Sequence, residues 1–542
     1  MKKIFTSICL LAFLFKGFSQ ETSIAVQPKL VVGIVVDQMR YDYLTRYWNR
    51  YGEGGFKRLV GEGFNFKNHH FNYVPTATAP GHASVYTGAT PSEHGIIGNE
   101  WFDVYTDKVV YCVSDTNYDP VGTKSDAGQM SPHRLMKTTV TDELRAYTNY
   151  RGKTVAIAIK DRGAVLPAGF TGDAYWFYGK DEGRWITSSY YKESLPSWVD
   201  QFNKGGAAAA YKKVWEPLYD LNTYTSSNPD DSRFEREDSR VFPYDLPELW
   251  ADNGGYDIIK ATPFGNSLTT DFAIAALEGE SLGDDADIDF LSISYSSTDY
   301  VGHKWGVKAV ETEDTYLRLD KDLERLLHTL DKKIGQGEYL VFLTADHGAS
   351  YNPNYLTANK MPGGFFKSKE MIAAINEFTT ARFGSSRILR RVGGGEIYLR
   401  KEVLDSLGFD KDEVEEILAE ELITYDQVEK VYTSKMLMEN EYQEGIARLA
   451  RNGYHPKLSG DLRIIFNPGL ISSGYSRGGT SHGTAWVYDT HVPFILYGSG
   501  IPKGSSALRS EIPDIAPTIS VLLGIPFPSG VTGKVRAEIF GQ

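Results

Sequence analysis

Runs of mostly apolar, β-branched residues recur along the chain, and polar residues close several of them. Leu30–Val36 and Thr154–Ile159 lack the alternation of a half-exposed strand, so they predict strands buried on both faces, as in a parallel sheet. Ile288–Tyr295, Tyr339–Thr344 and Val492–Tyr497 predict further strands. Helical patterns separate them. Tyr316, Leu319, Leu323, Leu326, Leu327 and Leu330 fall on one helix face. A helix is predicted over 131–150, and another opens at Thr269-Thr270-Asp271 and runs to Leu277. A closing helix covers Ile512–Leu523, with Gly524 and Pro526 as stop signals. Strands alternating with helices predict an α/β fold with a largely parallel central sheet.

Two stretches break the alternation. Residues 173–256 hold Trp176, Trp185, Trp198, Trp215 and Trp250 among many polar residues, which predicts an aromatic-rich cap packed over the core. Residues 351–475 contain Glu396–Leu399, Lys401–Glu421 and Val428–Tyr432, a strand–helix–strand pattern that predicts a small α/β insertion.

The first residues change the expected address. Met1-Lys2-Lys3, the apolar run Ile4–Phe15 and the exit Gly17-Phe18-Ser19-Gln20 predict a secretory signal peptide over 1–19, cleaved after Ser19. Residues 20–542 then form the catalytic domain of an exported, periplasmic or secreted protein with no stable membrane insertion. Cleavage would remove Lys2, Lys3 and Lys16 and no acid, taking the net charge from −13 to −16. So acidic a protein is not expected to bind nucleic acid. Cys112 alone would remain, so no intrachain disulfide is expected. A monomer is expected.

The candidate chemistry sits where strands end. Asp37 directly follows Leu30–Val36, and α/β enzymes place ligands at the carboxyl ends of their strands. Lys160-Asp161-Arg162 follows Thr154–Ile159, with two cations one residue apart. Asp346-His347-Gly348 follows Tyr339–Thr344. Asp299 and His303 are four residues apart, on one side of a helical turn. His482 stands in the polar loop Gly479-Thr480-Ser481-His482-Gly483. In Thr78-Ala79-Pro80-Gly81-His82, Pro80 suits a first helical turn, which puts the Thr78 hydroxyl at a helix N-terminus. Asn99, in a turn, is a further anion-binding candidate. Three carboxylates and three imidazoles together suit zinc, and two such sites about 4 Å apart suit phosphoryl transfer.

In order and spacing, Asp37, Thr78-Ala79-Pro80-Gly81-His82, Asp299-x-x-x-His303, Asp346-His347-Gly348, His482-Gly483 and Asp514-Ile515-Ala516-Pro517-Thr518 resemble the alkaline phosphatase superfamily. Asn99 with Lys160-Asp161-Arg162 resembles one branch, the phosphate-irrepressible (PafA-type) alkaline phosphatases. The resemblance implies an alkaline-phosphatase-like three-layer sandwich with two Zn²⁺ per chain. It implies an exported phosphomonoesterase acting on small-molecule phosphate monoesters through a phosphothreonine on Thr78. It further implies that Asp37, Thr78, Asp346 and His347 hold one zinc and Asp299, His303 and His482 the other. Asn99, Lys160 and Arg162 would bind the transferred phosphoryl group.

Two other functions compete. A phosphodiesterase or nucleotide pyrophosphatase of the same superfamily would keep both metal sites but would not need Lys160 and Arg162. A non-catalytic binding protein on the same fold should have lost a ligand, whereas all six are present. A sulfatase is excluded by Thr78, where it would need Cys or Ser.

Overall fold

The computed structural model describes residues 27–180, 182–236 and 240–540. The expected signal peptide and its cleavage point lie outside the described residues. The core is a ten-stranded mixed sheet. Five adjacent strands form its parallel centre: β1 (Leu30–Val36), β2 (Thr154–Ala158), β3 (Asp173–Tyr178), β4 (Asp289–Tyr295) and β5 (Tyr339–Thr344). Their spatial order is β5-β1-β4-β2-β3, each parallel to its neighbour. Every residue of β1, β2, β4 and β5 is buried, as continuous apolar runs require. The strand Phe494–Gly498 pairs antiparallel with β5.

Alternation along β4 shows the layers. Ser292 and Ser294 face one side. There Ser292 meets the Tyr86 hydroxyl (2.7 Å) and Ser294 meets His82 Nε2 (2.9 Å), both from helix α1 (Thr78–Thr87). Tyr295 faces the other side, where its hydroxyl lies 3.0 Å from Thr270 Oγ1 in α3 (Pro263–Gly279). Helix α2 (Asp161–Ala168) lies on the α1 side, with Gly163 beside Ala158, Ser294 and His82. The sheet is thus sandwiched between two helical layers, and β1, β4, β2 and β5 all deliver their carboxyl ends to one edge.

Two expectations change in detail. Residues 173–188 are not part of a cap: β3 and the strand Arg184–Ser188 continue the main sheet. The segment that leaves the sheet starts after Ser188. Its aromatic side chains, and those just before it, mostly turn inward. Trp185 stacks on Phe272 of α3 at 4.1 Å, and Trp215 is fully buried against Trp305. They are core residues, held there because large rings gain most by leaving water. The helix expected over 131–150 spans only Val140–Tyr147, because the Thr139–Asp142 capping box starts it late. Within 351–475, the strands Leu389–Gly393, Glu396–Leu399, Val428–Thr433 and Leu462–Phe466 form a four-stranded antiparallel sheet. Helices Ser368–Phe383 and Lys411–Leu422 accompany it.

Candidate active site

Thr78 is the first residue of α1 and is almost fully buried. The helix can lie this close to the sheet edge because residue 81 is glycine: a Cβ there would come within 2.3 Å of the Asp346 carbonyl oxygen. Asn99 is brought to the same helix start. Its Oδ1 accepts from the Ala79 amide (2.8 Å), which leaves its amide nitrogen as a donor.

Asp37, Asp346 and His347 meet at the ends of β1 and β5, all completely buried. Asp37 Oδ1, Asp346 Oδ2 and His347 Nε2 have no hydrogen-bond partner. Buried polar atoms without partners are costly, and three converging ones fit a cation. Among the described residues, two groups of donor atoms lie within 4.8 Å of one another: Asp37–Asp346–His347 and Asp299–His347–His482. His347 is common to both, and its ring stacks on His482 at 3.5 Å. His303 reaches the second group through Asp299: its Nε2 is 3.1 Å from Asp299 Oδ1, and His482 Nε2 is 3.7 Å from the same oxygen.

The imidazole tautomers follow from their partners. His303 Nδ1 lies 2.8 Å from the Thr480 carbonyl, His482 Nδ1 2.8 Å from the Thr76 carbonyl, and His347 Nδ1 2.9 Å from the Gly348 carbonyl. A carbonyl only accepts, so each Nδ1 donates, and in the neutral ring each Nε2 then keeps its lone pair. Anchoring of Nδ1 by a carbonyl is the usual support for a metal-binding histidine. Burial drives the His347 pKa down to about 3, so this ring is neutral. Burial, reinforced by Asp346, raises Asp37, and burial pushes Asp346 up to about 7. For Asp37 and Asp346 burial thus outweighs the nearby positive charge, and divalent cations would offset it.

Lys160 is the positive side chain that reaches both groups. Its Nζ lies 2.6 Å from Asp37 Oδ2, 2.5 Å from Asp299 Oδ2 and 3.4 Å from Thr78 Oγ1. Burial works to lower its pKa, but Asp299 and Asp37 prevail and raise it, so it remains an ammonium. Arg162 takes a different path. Its Nη1 donates to the Tyr111 hydroxyl (2.9 Å), which donates to Asp161 Oδ1 (2.5 Å), and Asp161 Oδ1 also accepts from the Arg162 amide (2.6 Å). Tyr111 ends a hairpin whose first residue, Glu100, pairs with it and directly follows Asn99. One hairpin therefore connects the supports of Asn99 and Arg162.

The sequence-predicted residues Asp37, Thr78, Lys160, Asp299, His303, Asp346, His347 and His482 converge, with Asn99 at the helix start and Arg162 on its own support. Sequence reasoning missed Gln38 and Tyr111. Gln38 Nε2 donates to Asp299 Oδ1 (2.6 Å) and its amide donates to Asp346 Oδ1 (3.1 Å), joining the two groups. It does so from a left-handed backbone (φ 65°) that no local pattern announces. Tyr111 lies in an ordinary hairpin, and its contact with Arg162 spans 51 residues.

The family model for type I phosphodiesterase / nucleotide pyrophosphatase matches residues 31–491. Alkaline phosphatase PafA of Elizabethkingia meningoseptica is 43% identical over 534 residues, which cover 97% of this chain and 96% of that protein. Alkaline phosphatase PhoV of Synechococcus elongatus is 42% identical over 520 residues, 95% of this chain and 93% of that one. The crystal structure of wild-type PafA matches with a TM-score of 0.90 over 95% of this chain and 99% of its own. With its sheet, helical layers and strand-end residues arranged as described, the chain belongs to the alkaline phosphatase superfamily, and its enzymatic class is that of the alkaline phosphatases.

Proposed function

We propose that the protein is an exported di-zinc phosphomonoesterase whose nucleophile is Thr78. The observation that carries this reading is the set of three imidazoles with Nδ1 tied to carbonyls and Nε2 turned toward buried carboxylates, beside the Thr78 hydroxyl. Mixed carboxylate and imidazole donors favour zinc. Asp37, Asp346 and His347, with Thr78, would hold one ion, and Asp299, His303 and His482 the other. Together the ions would supply positive charge for the entering and leaving oxygens.

The chain's own residues do the rest. Thr78 Oγ1 gives up its proton to solvent and bonds to phosphorus as the ester P–O bond breaks. The released alkoxide takes a proton from solvent. Water then attacks the phosphothreonine, restoring the hydroxyl and freeing phosphate. Lys160, within reach of Thr78 Oγ1, and the Asn99 amide hold the phosphoryl oxygens, and Arg162, braced by Tyr111, binds a further anionic oxygen. A hydrogen bond to a charged group contributes about 1.5–3 kcal/mol, or roughly 10–150-fold in rate. A monoester dianion uses both cations, whereas a diester has an alkyl group where one anionic oxygen would bind. The Lys160–Arg162 pair is therefore the feature that favours monoesterase over diesterase. Export rests on the N-terminal pattern. Among the described residues, no helix is long and apolar enough to cross a membrane.

The test compares kcat/KM for an aryl phosphate with that for its methyl diester in zinc-loaded protein. A monoester preference above ~10² and a loss of ~10⁴–10⁶ in Thr78→Ala are expected. Acid quenching should trap phosphate on Thr78. A preference for the diester would replace this reading with the phosphodiesterase one. No hydrolysis by protein that carries two metal ions would favour a binding protein.

A further inference from the structure

A cavity of about 310 Å³ lies between the insertion and the sheet edge. Phe366, Ile372, Ile464, Phe466 and Ile471 give it apolar walls, and the Phe366 and Phe466 rings stack at 4.8 Å. Its opposite wall is built from the two loops that serve the active site. Val74 and Pro75 lie just before Thr78, and residues 481–485 surround His482. The two loops are tied together where the Thr76 carbonyl accepts from His482 Nδ1 (2.8 Å). The turn Gly393-Gly394-Gly395 contributes no side chain, and a Cβ on Gly394 would meet nothing within 4 Å, so that side stays open.

The charges lining the cavity are few and balanced. Apart from His482, the ionisable residues in its wall are Arg463 and Glu396, which pair at 2.5 Å. Arg463 Nε is a buried donor with no partner, which an acceptor oxygen on a bound group would satisfy. Cavities of about 150 Å³ admit benzene, so this one has room for roughly twice that.

We propose that this cavity receives the leaving group of the ester, so that the preferred substrates are phosphate monoesters of uncharged, largely apolar alcohols or phenols. The proposal rests on the phosphomonoesterase reading above. His482 links the two: it belongs to a metal-type group beside Thr78 and also lines the cavity. A phosphoryl group held at Thr78, Lys160 and Asn99 would thus have its organic substituent on the side where the insertion supplies apolar walls. A second negative charge on that substituent would enter a space whose one arginine, Arg463, is already paired with Glu396.

Three esters with similar alkoxide leaving groups test this in zinc-loaded protein: ethyl phosphate, hexyl phosphate and the phosphate ester of 6-hydroxyhexanoate. Wild type should show kcat/KM at least ~10-fold higher for hexyl than for ethyl, about what burial of two of the extra methylenes supplies. The carboxylate ester should fall back toward ethyl. Ile372→Trp, on the half-exposed face of helix Ser368–Phe383, should shrink the hexyl-to-ethyl ratio at least threefold, and Val392→Trp should do the same from the opposite strand. If all three esters are cleaved equally well, or neither variant moves the ratio, the cavity takes no part and the phosphomonoesterase reading stands. If no ester is cleaved, that reading fails and this proposal fails with it.

Discussion

Two clusters of buried carboxylates meet helix Ser297–Trp305, one through Asp299 and the other through Trp305, which donates to the Tyr244 hydroxyl, and only one of them is built like a metal centre. At the strand ends, Asp37, Asp346 and Asp299 are accompanied by His303, His347 and His482, whose anchored Nδ1 atoms leave Nε2 free to bind. In the other cluster, Glu235 and Glu311 are equally buried. Both Glu235 oxygens and Glu311 Oε2 lack partners, while the Tyr244 hydroxyl donates to Glu311 Oε1. No imidazole joins this group among the described residues. Burial, helped by Glu311, pushes Glu235 up to about 10, and burial pushes Glu311 up to about 8. These acids meet the cost of burial by keeping their protons. Burial and orphaned oxygens are therefore not enough to mark a site. What separates the clusters is the set of imidazoles oriented by backbone carbonyls, together with Lys160.

The largest test of this contrast is removal of one ligand from each side. His347→Ala should lower bound metal by at least one ion per chain, lower the melting temperature and reduce kcat/KM by ~10²–10³-fold or more, since it removes charge stabilisation from the reaction. Glu311→Gln should leave metal content at two, because that acid already behaves as a neutral group. Metal analysis with thermal melting reads both. If Glu311→Gln also lost metal, the distinction between the clusters would collapse.

A smaller effect should sharpen the role of the cations. Arg162→Ala should lower monoester kcat/KM by ~10–150-fold while leaving the diester rate within a few-fold. Tyr111→Phe keeps the ring but removes the hydroxyl that Arg162 donates to, so a drop of ~3–10-fold in the monoester-to-diester ratio is expected. Equal losses on both substrates would mean that Tyr111 only supports the fold.

The smallest effect concerns stability and pH. Glu235 and Glu311 have folded-state pKa values above their unfolded ones, so they hold extra protons in the folded protein. Their contribution is fully present below about pH 4.5 and is lost as pH rises through about 8 to 10. Asp230 and Arg240 face Glu235 and act in opposite directions. The melting temperature of the loaded protein should fall by a few degrees from pH 7 to pH 10. Glu235→Gln should flatten that fall. A slope unchanged in the variant would show that Glu235 does not exchange a proton on unfolding.

Much of the fold was legible because the central strands are buried on both faces and so read as continuous apolar runs. Local rules failed where tertiary contacts decide. Residues 173–188 looked like part of a cap because aromatic residues serve equally well in a sheet, and only pairing with β2 settled their place. The Thr139 capping box starts its helix later than hydrophobic spacing suggested.

The sequence by itself determined which residue types stand at strand ends. Asp37 directly follows an apolar strand, Lys160 and Asp346 come two residues after the ends of others, and helical spacing alone puts Asp299 beside His303. It also determined the Thr78–Pro80 helix start, because proline and capping preferences are local. Only the tertiary structure decided that Lys160 reaches Asp37, Asp299 and Thr78 together, that Gln38 joins the two donor groups, and that Tyr111 braces Arg162. Those contacts join residues tens to hundreds of positions apart. Their geometry depends on how strands and helices pack, which periodicity along the chain does not encode.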